Sequence, residues 1–350
     1  MNHSENIQNS VRRQQTTFIW VILLGAVLVY IVGKTILAWG YTPPHLIVYA
    51  FSTQEEVLNQ GILPAFKDAW EQKNGQELKI EAVFGPSDTL AAHINLGAPA
   101  DVALFSNERH VKWLKIGRKI SSETQPIVIG YTPIVIVTRP GNPYNIHDYA
   151  DLGQPGLRLL HADPRSSGAA QWSLLAEYGS ALLKSHNPKI AKAQLLAIWD
   201  NVKVLGASAR ATLTLFELGA GDALITYEQD ARLAQERGVP LEIIPPPRTI
   251  IAQHIAVAVD DHITRSERPI VQAFLDYLVS PEGQEIFKRY HLRPENLPTD
   301  EFPPLSEAFT VNDLGGWFSA YNQTVEPLWQ TEIEPDLNLD PAPVPVYTGY

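Results

Sequence analysis

The chain has 350 residues, 45% hydrophobic and 19% charged, which suits two α/β lobes with sizeable cores and excludes a disordered or fibrous protein. Its formal net charge of -11 excludes nucleic acid as a partner drawn in by the bulk field, and any anionic ligand has to be caught by local dipoles. With no cysteine, the chain has no disulfides, no thiol catalysis, no cysteine-ligated metal and no lipid attached through a thiol.

At the N-terminus, Arg12 and Arg13 precede an apolar run from Phe18 to Gly33, continued after Lys34 by Thr35, Ile36, Leu37, Ala38 and Trp39. With Lys34 able to snorkel, this is about the 17 to 25 residues that cross a hydrocarbon core. The paired arginines predict residues 1–17 in the cytoplasm, a transmembrane helix over 18–39, and the rest outside the cell membrane, periplasmic or at the cell surface. No small-residue cleavage site follows the run, so an uncleaved anchor is favoured over a cleaved signal peptide.

After the linker Gly40 to His45, short β-rich runs alternate with helical patterns. Leu46 to Phe51 leads into a helix whose start carries a capping-box signature, Ser52 with Glu55. Leu78 to Phe84 precedes Gly85, Pro86 and Ser87; Leu157 to Ala162 precedes Asp163 to Gly168; Val202 to Leu205 precedes Gly206 to Ala209. The alternation predicts an α/β architecture with mostly parallel sheets. Two extended stretches, Ile127 to Thr138 and Leu241 to Val259, bracket the middle third and read as crossings between lobes. Lobe one is therefore expected over 45–131 and 252–324, lobe two over 132–251. Residues 325–350, acidic and rich in proline, are expected to form an extended, weakly packed tail.

The four strand-to-helix turns carry small or hydroxyl residues where a helix N-terminus offers free N–H groups and partial positive charge. Ser52, Ser87, Ser167 with Gly168 and Ala169, and Ala209 are the candidate donors; taken singly, Ser52 and Ser87 also suit ordinary N-caps. In open α/β sheets such turns converge beyond the carboxyl ends of the strands. Arg210, one residue into its helix, opposes the helix dipole, so it either reaches the ligand region or pairs with an acid. Tyr227 closes a strand as an end aromatic. The ten histidines show no metal spacing, and no nucleophile elbow, phosphate loop or zinc motif occurs, so neither cofactor nor enzymatic activity is expected.

Several ordered motifs carry a resemblance. Arg139-Pro140-Gly141-Asn142-Pro143 with Ile146, Asp148, Tyr149, Asp151, Leu152, Pro155 and Gly156, the run Pro164 to Trp172, Ala209-Arg210 through Phe216, Gly221-Asp222 to Glu228, Ser280-Pro281-Glu282-Gly283-Gln284 and Leu314-Gly315-Gly316-Trp317 resemble the sulfate-binding protein family of ABC importers. The likeness spans about Leu46 to Tyr321. It implies a two-lobed periplasmic-binding-protein-like fold whose hinge closes on a desolvated oxyanion held by neutral donors, with ABC permease and ATPase subunits as partners. Carried over by position, it places donors at the backbone of Ser52, at Ser87, at the Ser167 hydroxyl, at the N–H groups of Gly168 and Ala169, and at the backbone of Ala209. Tyr227 stands where the family has a tryptophan, Ala169 where it has a second glycine, Ser52 where it usually has aspartate, and Asp88 where it usually has glycine. If Asp88 points into the cleft, hydrogen phosphate gains; if it sits as an acid in the first turn of its own helix, sulfate stands. Thiosulfate, molybdate and tungstate are further candidates, and a membrane-tethered anion-sensing ectodomain is the alternative role.

Overall fold

The computed structural model describes residues 25–28, 43–294, 302 and 305–340. The anchor expected over 18–39 thus lies outside the described residues except at 25–28, which are helical and exposed. Among the described residues no helix is long and apolar enough to cross a membrane. Residues from His45 onward form one compact unit.

In chain order the elements are β1 (His45–Phe51), α1 (residues 52–74), β2 (Lys79–Gly85), α2 (Ser87–Asn95), β3 (Val102–Phe105), α3 (Arg109–Ile116) and β4 (Ile127–Thr138). Then come β5 (Leu159–Ala162), α4 (Gly168–Ser185), α5 (Pro188–Trp199), β6 (Val202–Gly206), α6 (Ala209–Glu217), β7 (Ala223–Tyr227) and α7 (Glu228–Glu236). The last are β8 (Glu242–Ile244), β9 (Ile251–Ala258), α8 (Arg268–Leu278), α9 (Pro281–Arg289) and α10 (residues 318–336). The strands order as β2-β1-β3-β9-β4-β7-β5-β6, with β8 also on β4.

This sheet is mixed, which corrects the expectation of mostly parallel pairing. The β1/β2, β1/β3, β5/β6 and β5/β7 ladders are parallel, whereas β9 and β4 pair antiparallel with their neighbours. The strand that changes partner is β4. Residues Ile127 to Pro133 pair with β9, and Ile134 to Thr138 pair with β7. A 12-residue strand with Val and Ile on either side of Gly130, Tyr131, Thr132 and Pro133 can do this because it is buried on both faces along most of its length. Its two halves belong to two half-sheets with separate apolar cores. One packs Leu46, Val48, Val102 and Leu104 against Phe274 and Phe287 of α8 and α9. The other packs Leu159, Ile225 and Trp172 against Tyr149, Leu195 and Trp199.

Two expectations about the C-terminal third are corrected. Phe309, Val311, Trp317, Ala320 and Tyr321 join the second core, although 252–324 was assigned to lobe one. The expected extended tail is helical to Asp336, with Val325, Trp329 and Ile333 buried in that same core. Pro327 argues for an extended chain because proline ordinarily breaks a helix interior. Here it falls in the first turn of a short α segment, Glu326–Leu328, directly after the wider π segment Phe318–Val325, so its missing N–H coincides with the change of helical register. Val325, Trp329 and Ile333 recur every four residues, and that apolar stripe supplies the burial that propensity lacks.

Candidate functional site

The carboxyl ends of β1, β2 and β3 and those of β5, β6 and β7 each lead directly into a helix or a short turn before one. Six of the residues singled out above, Ser52, Ser87, Ser167, Gly168, Ala169 and Ala209, line a single small pocket. Phe51, Thr53, Pro86, Ser106 and Ser208 complete its wall. No lining side chain is charged.

Local chemistry explains which hydroxyls remain free. The α6 start is capped conventionally, Ser208 accepting from the Ala211 N–H at 3.1 Å. At α4, Ser167 holds the N-cap position without making a side-chain cap bond, so among the described residues its hydroxyl is uncommitted. Neither Ser52 nor Ser87 is the cap that its sequence suggests. Phe51 and Pro86 occupy those positions in extended conformation, and the two serines are the first helical residues. Ser87 instead donates its hydroxyl to the Ser106 Oγ at 3.0 Å and accepts from the Ser106 N–H at 3.2 Å. Ser106 was missed by sequence reasoning; its signal was the run Val102 to Phe105, a fifth strand ending in a small polar residue.

The two half-sheets meet tightly around Gly168. A Cβ at this position would lie 1.9 Å from the Ser106 Oγ and 3.1 Å from both the Asn107 Nδ2 and the His110 Cε1. Further bonds bridge the halves: the Trp172 indole donates to the Ser106 carbonyl at 2.7 Å, and the Thr53 hydroxyl to Asp230 at 2.8 Å.

The remaining candidates resolve differently. Arg210 pairs with Glu56 at 2.8 Å, and Arg237 joins the same carboxylate at 2.9 Å, so the arginine that opposed its helix dipole serves an ion pair between the halves. Asp88 lies in the first turn of α2, outside the pocket wall, where its carboxylate faces His110 at 3.0 Å and accepts from Gln171 at 3.1 and 3.2 Å. Tyr227 does not line the pocket either. Its phenol is fully buried beside Ser106, and burial holds it well above its ordinary pKa despite that neighbouring hydroxyl, so it stays neutral. The Tyr227 oxygen has no partner in hydrogen-bonding geometry among the described residues.

Behind the pocket, Gln54 donates to Gln229 at 3.0 Å and faces the His254 Nδ1 at 3.1 Å. Gln54 Nε2 can only donate, so His254 Nδ1 accepts and the ring is neutral. Burial lowers its pKa from 6.5 to about 3. The unfolded chain therefore binds the extra proton first, and this stabilisation is complete above pH 6.5 and is lost as pH falls toward 3. At about pH 5 the loss is about 2 kcal/mol. In His254→Asn, whose side-chain oxygen can accept from Gln54, that part of the acid sensitivity should vanish. Urea unfolding of both proteins at pH 7 and about pH 5 measures it; equal pH slopes would contradict the assignment.

Two α/β half-sheets whose helix starts enclose an uncharged polar pocket define the class of two-lobed solute-binding proteins. The profile of the bacterial extracellular solute-binding protein family matches residues 57–293. The sulfate-binding protein of Salmonella typhimurium is 35% identical over 279 residues, 73% of this chain and 82% of that one. That of Synechococcus elongatus is 30% identical over 288 residues, 79% of this chain and 82% of that one. Among solved structures, the sulfate-binding protein SubI from Mycobacterium tuberculosis superposes with a TM-score of 0.73 at 27% identity, covering 80% of this chain and 98% of that chain. The chain belongs to the bacterial extracellular solute-binding proteins, within them to the sulfate-binding protein family.

Proposed function

We propose that the chain is the extracytoplasmic binding component of a sulfate ABC importer, tethered to the membrane by residues 18–39, which captures the anion by hinge closure and carries out no chemistry on it. The observation that carries the reading is the pocket wall, in which helix starts and hydroxyls converge and no charged side chain takes part. In that setting the Ser167 hydroxyl and the Ser106 hydroxyl, which accepts from Ser87, supply donors, and the backbones of Ser52, Ser87, Gly168, Ala169 and Ala209 supply N–H groups aligned with helix dipoles. Tyr227, kept neutral by burial, is an additional phenol donor close behind them. Sulfate has no proton to give, so a donor-rich wall suits it. Hydrogen phosphate would need a strong acceptor, and Asp88, the nearest candidate in the sequence, is engaged by Gln171 and His110 instead.

Calorimetric titration of the full chain in detergent with sulfate, thiosulfate, molybdate and phosphate tests this. We expect sulfate to bind most tightly, and Ser167→Ala to weaken it by about tenfold, one charge-assisted hydrogen bond. Preference for phosphate, or for none of the four, would overturn the reading; preference for thiosulfate would keep the site and change its cargo. The tether predicts that the chain sediments with membranes, and that a version beginning at residue 40 does not.

A further inference from the structure

Tyr227 ends β7 with its side chain fully buried, and its phenol oxygen makes no hydrogen bond among the described residues. A buried hydroxyl without a partner is destabilising, so one kept beside a binding pocket points to a use that the fold alone does not supply. Its neighbours leave few partners. The Phe51 ring meets it edge-on at 6.5 Å and offers no acceptor. The His254 ring meets it edge-on at 4.9 Å; because His254 Nδ1 accepts from Gln54, the proton sits on Nε2 and neither nitrogen can accept from the phenol. Asp230, whose Oδ2 accepts from Thr53 at 2.8 Å, acts on the phenol through its charge alone. The group left is the Ser106 hydroxyl, just outside hydrogen-bonding geometry.

Ser106 lines the pocket, and nearly all of its bonding capacity is taken. Its N–H donates to the Ser87 Oγ at 3.2 Å, its carbonyl accepts from the Trp172 indole at 2.7 Å, and its Oγ accepts from the Ser87 hydroxyl at 3.0 Å. The Oγ also rests against Gly168, where an added Cβ would lie 1.9 Å away, so the oxygen is fixed and only its proton can turn. A serine hydroxyl has one proton and two lone pairs. With one lone pair held by Ser87, a second donor from Tyr227 would leave the proton as the only group that Ser106 can present to the pocket.

We propose that Tyr227 is a positioning residue of the anion site: on binding, its phenol donates to Ser106 and locks the Ser106 hydroxyl as a donor toward the oxyanion. The inference rests on the reading of the pocket as an oxyanion site. It also supplies a basis for selectivity. Sulfate accepts at every oxygen and gains from a locked donor, whereas hydrogen phosphate has a proton to place, and a Ser106 oxygen with both lone pairs filled cannot take it. The phenol thus finds its partner only in the bound state, so it contributes to affinity and not to the stability of the unbound fold.

Calorimetric titration of the full chain in detergent with sodium sulfate and sodium phosphate tests this, at about pH 8, where phosphate is a dianion that keeps one proton. Urea unfolding of the same proteins without anion is measured beside it. Tyr227→Phe removes only the hydroxyl. We expect it to weaken sulfate about fivefold, to weaken phosphate less or not at all, and to leave the urea midpoint unchanged or raised, because the group removed had no partner. Ser106→Ala should weaken sulfate about tenfold, and Tyr227→Phe added to it should weaken sulfate no further, because the phenol acts through that hydroxyl. If circular dichroism shows Ser106→Ala unfolded, Tyr227→Phe decides alone, by a sulfate affinity that falls while the midpoint does not. Unchanged sulfate affinity in Tyr227→Phe, a lowered midpoint, additive losses in the double variant, or a phosphate affinity that fails to gain on that of sulfate overturns the lock and leaves the sulfate reading intact. Absence of sulfate binding by the wild-type chain overturns the sulfate reading itself, and the lock with it.

Discussion

Gly168→Ala should weaken sulfate binding by about ten- to hundredfold, and Gly168→Asp by at least about a further thousandfold. The first figure is steric. The added methyl would lie 1.9 Å from the Ser106 Oγ, and rotating that hydroxyl away breaks its bond to Ser87 while Asn107 and His110 still crowd the site at 3.1 Å. Overpacking of this kind costs about 1 to 3 kcal/mol, all of it charged to the state in which the two halves meet. The second figure adds charge. A carboxylate about 4 Å from an anion, at an effective dielectric of about 20, costs about 4 kcal/mol per unit charge. Calorimetry gives the affinities, and urea unfolding of the ligand-free proteins serves as the control, because each half keeps its own core. If Gly168→Ala binds sulfate within twofold of wild type, the pocket around Gly168 is not where the anion sits.

Trp329→Ala should lower the unfolding free energy by about 3 to 5 kcal/mol, as truncation of a buried tryptophan does. Trp329 is 4% exposed, meets Trp199 edge-on at 6.4 Å, and shares a core with Val325, Ile333 and Leu195. Glu332→Ala is the matched control on the same helix. Its ion pair with Lys192, 2.6 Å long but with both side chains about two-fifths exposed, is worth less than about 1 kcal/mol. Chemical denaturation separates the two substitutions. Equal, small effects would mean that α10 packs weakly, as its proline-rich, acidic composition suggests.

Much of the site is legible in the sequence, for a local reason. Where a strand ends and a helix begins, the residue type at the junction decides how closely an anion can approach and which donors are free. Ser52, Ser87, Ser167, Gly168, Ala169 and Ala209 stand out by that rule. It stops at polar atoms whose partners are distant in sequence. Asp88 is ambiguous because the sequence shows its place on the helix and not His110, 22 residues on, or Gln171, 83 residues on. Ser106 escapes the rule because β3 is only four residues long and carries little periodic signal.

The C-terminal segment shows the same limit in the opposite direction. Its composition argues for an extended tail, and Pro327 and the acidic residues around it outweigh the four-residue spacing of Val325, Trp329 and Ile333. An apolar stripe becomes a helix only if a surface exists to cover it, and the groove beside Trp199 is built by residues more than a hundred positions earlier. Likewise, the alternation of strands and helices determined an α/β protein, while the antiparallel turns of β4 and β9 depended on how the two half-sheets join. The sequence alone determined the composition of each junction and the class of ligand it favours, because those are properties of neighbouring residues. The tertiary structure alone decided which junctions share a pocket, where Asp88 and Arg210 find their partners and which core receives α10, because those energies arise between groups that the chain brings together only on folding.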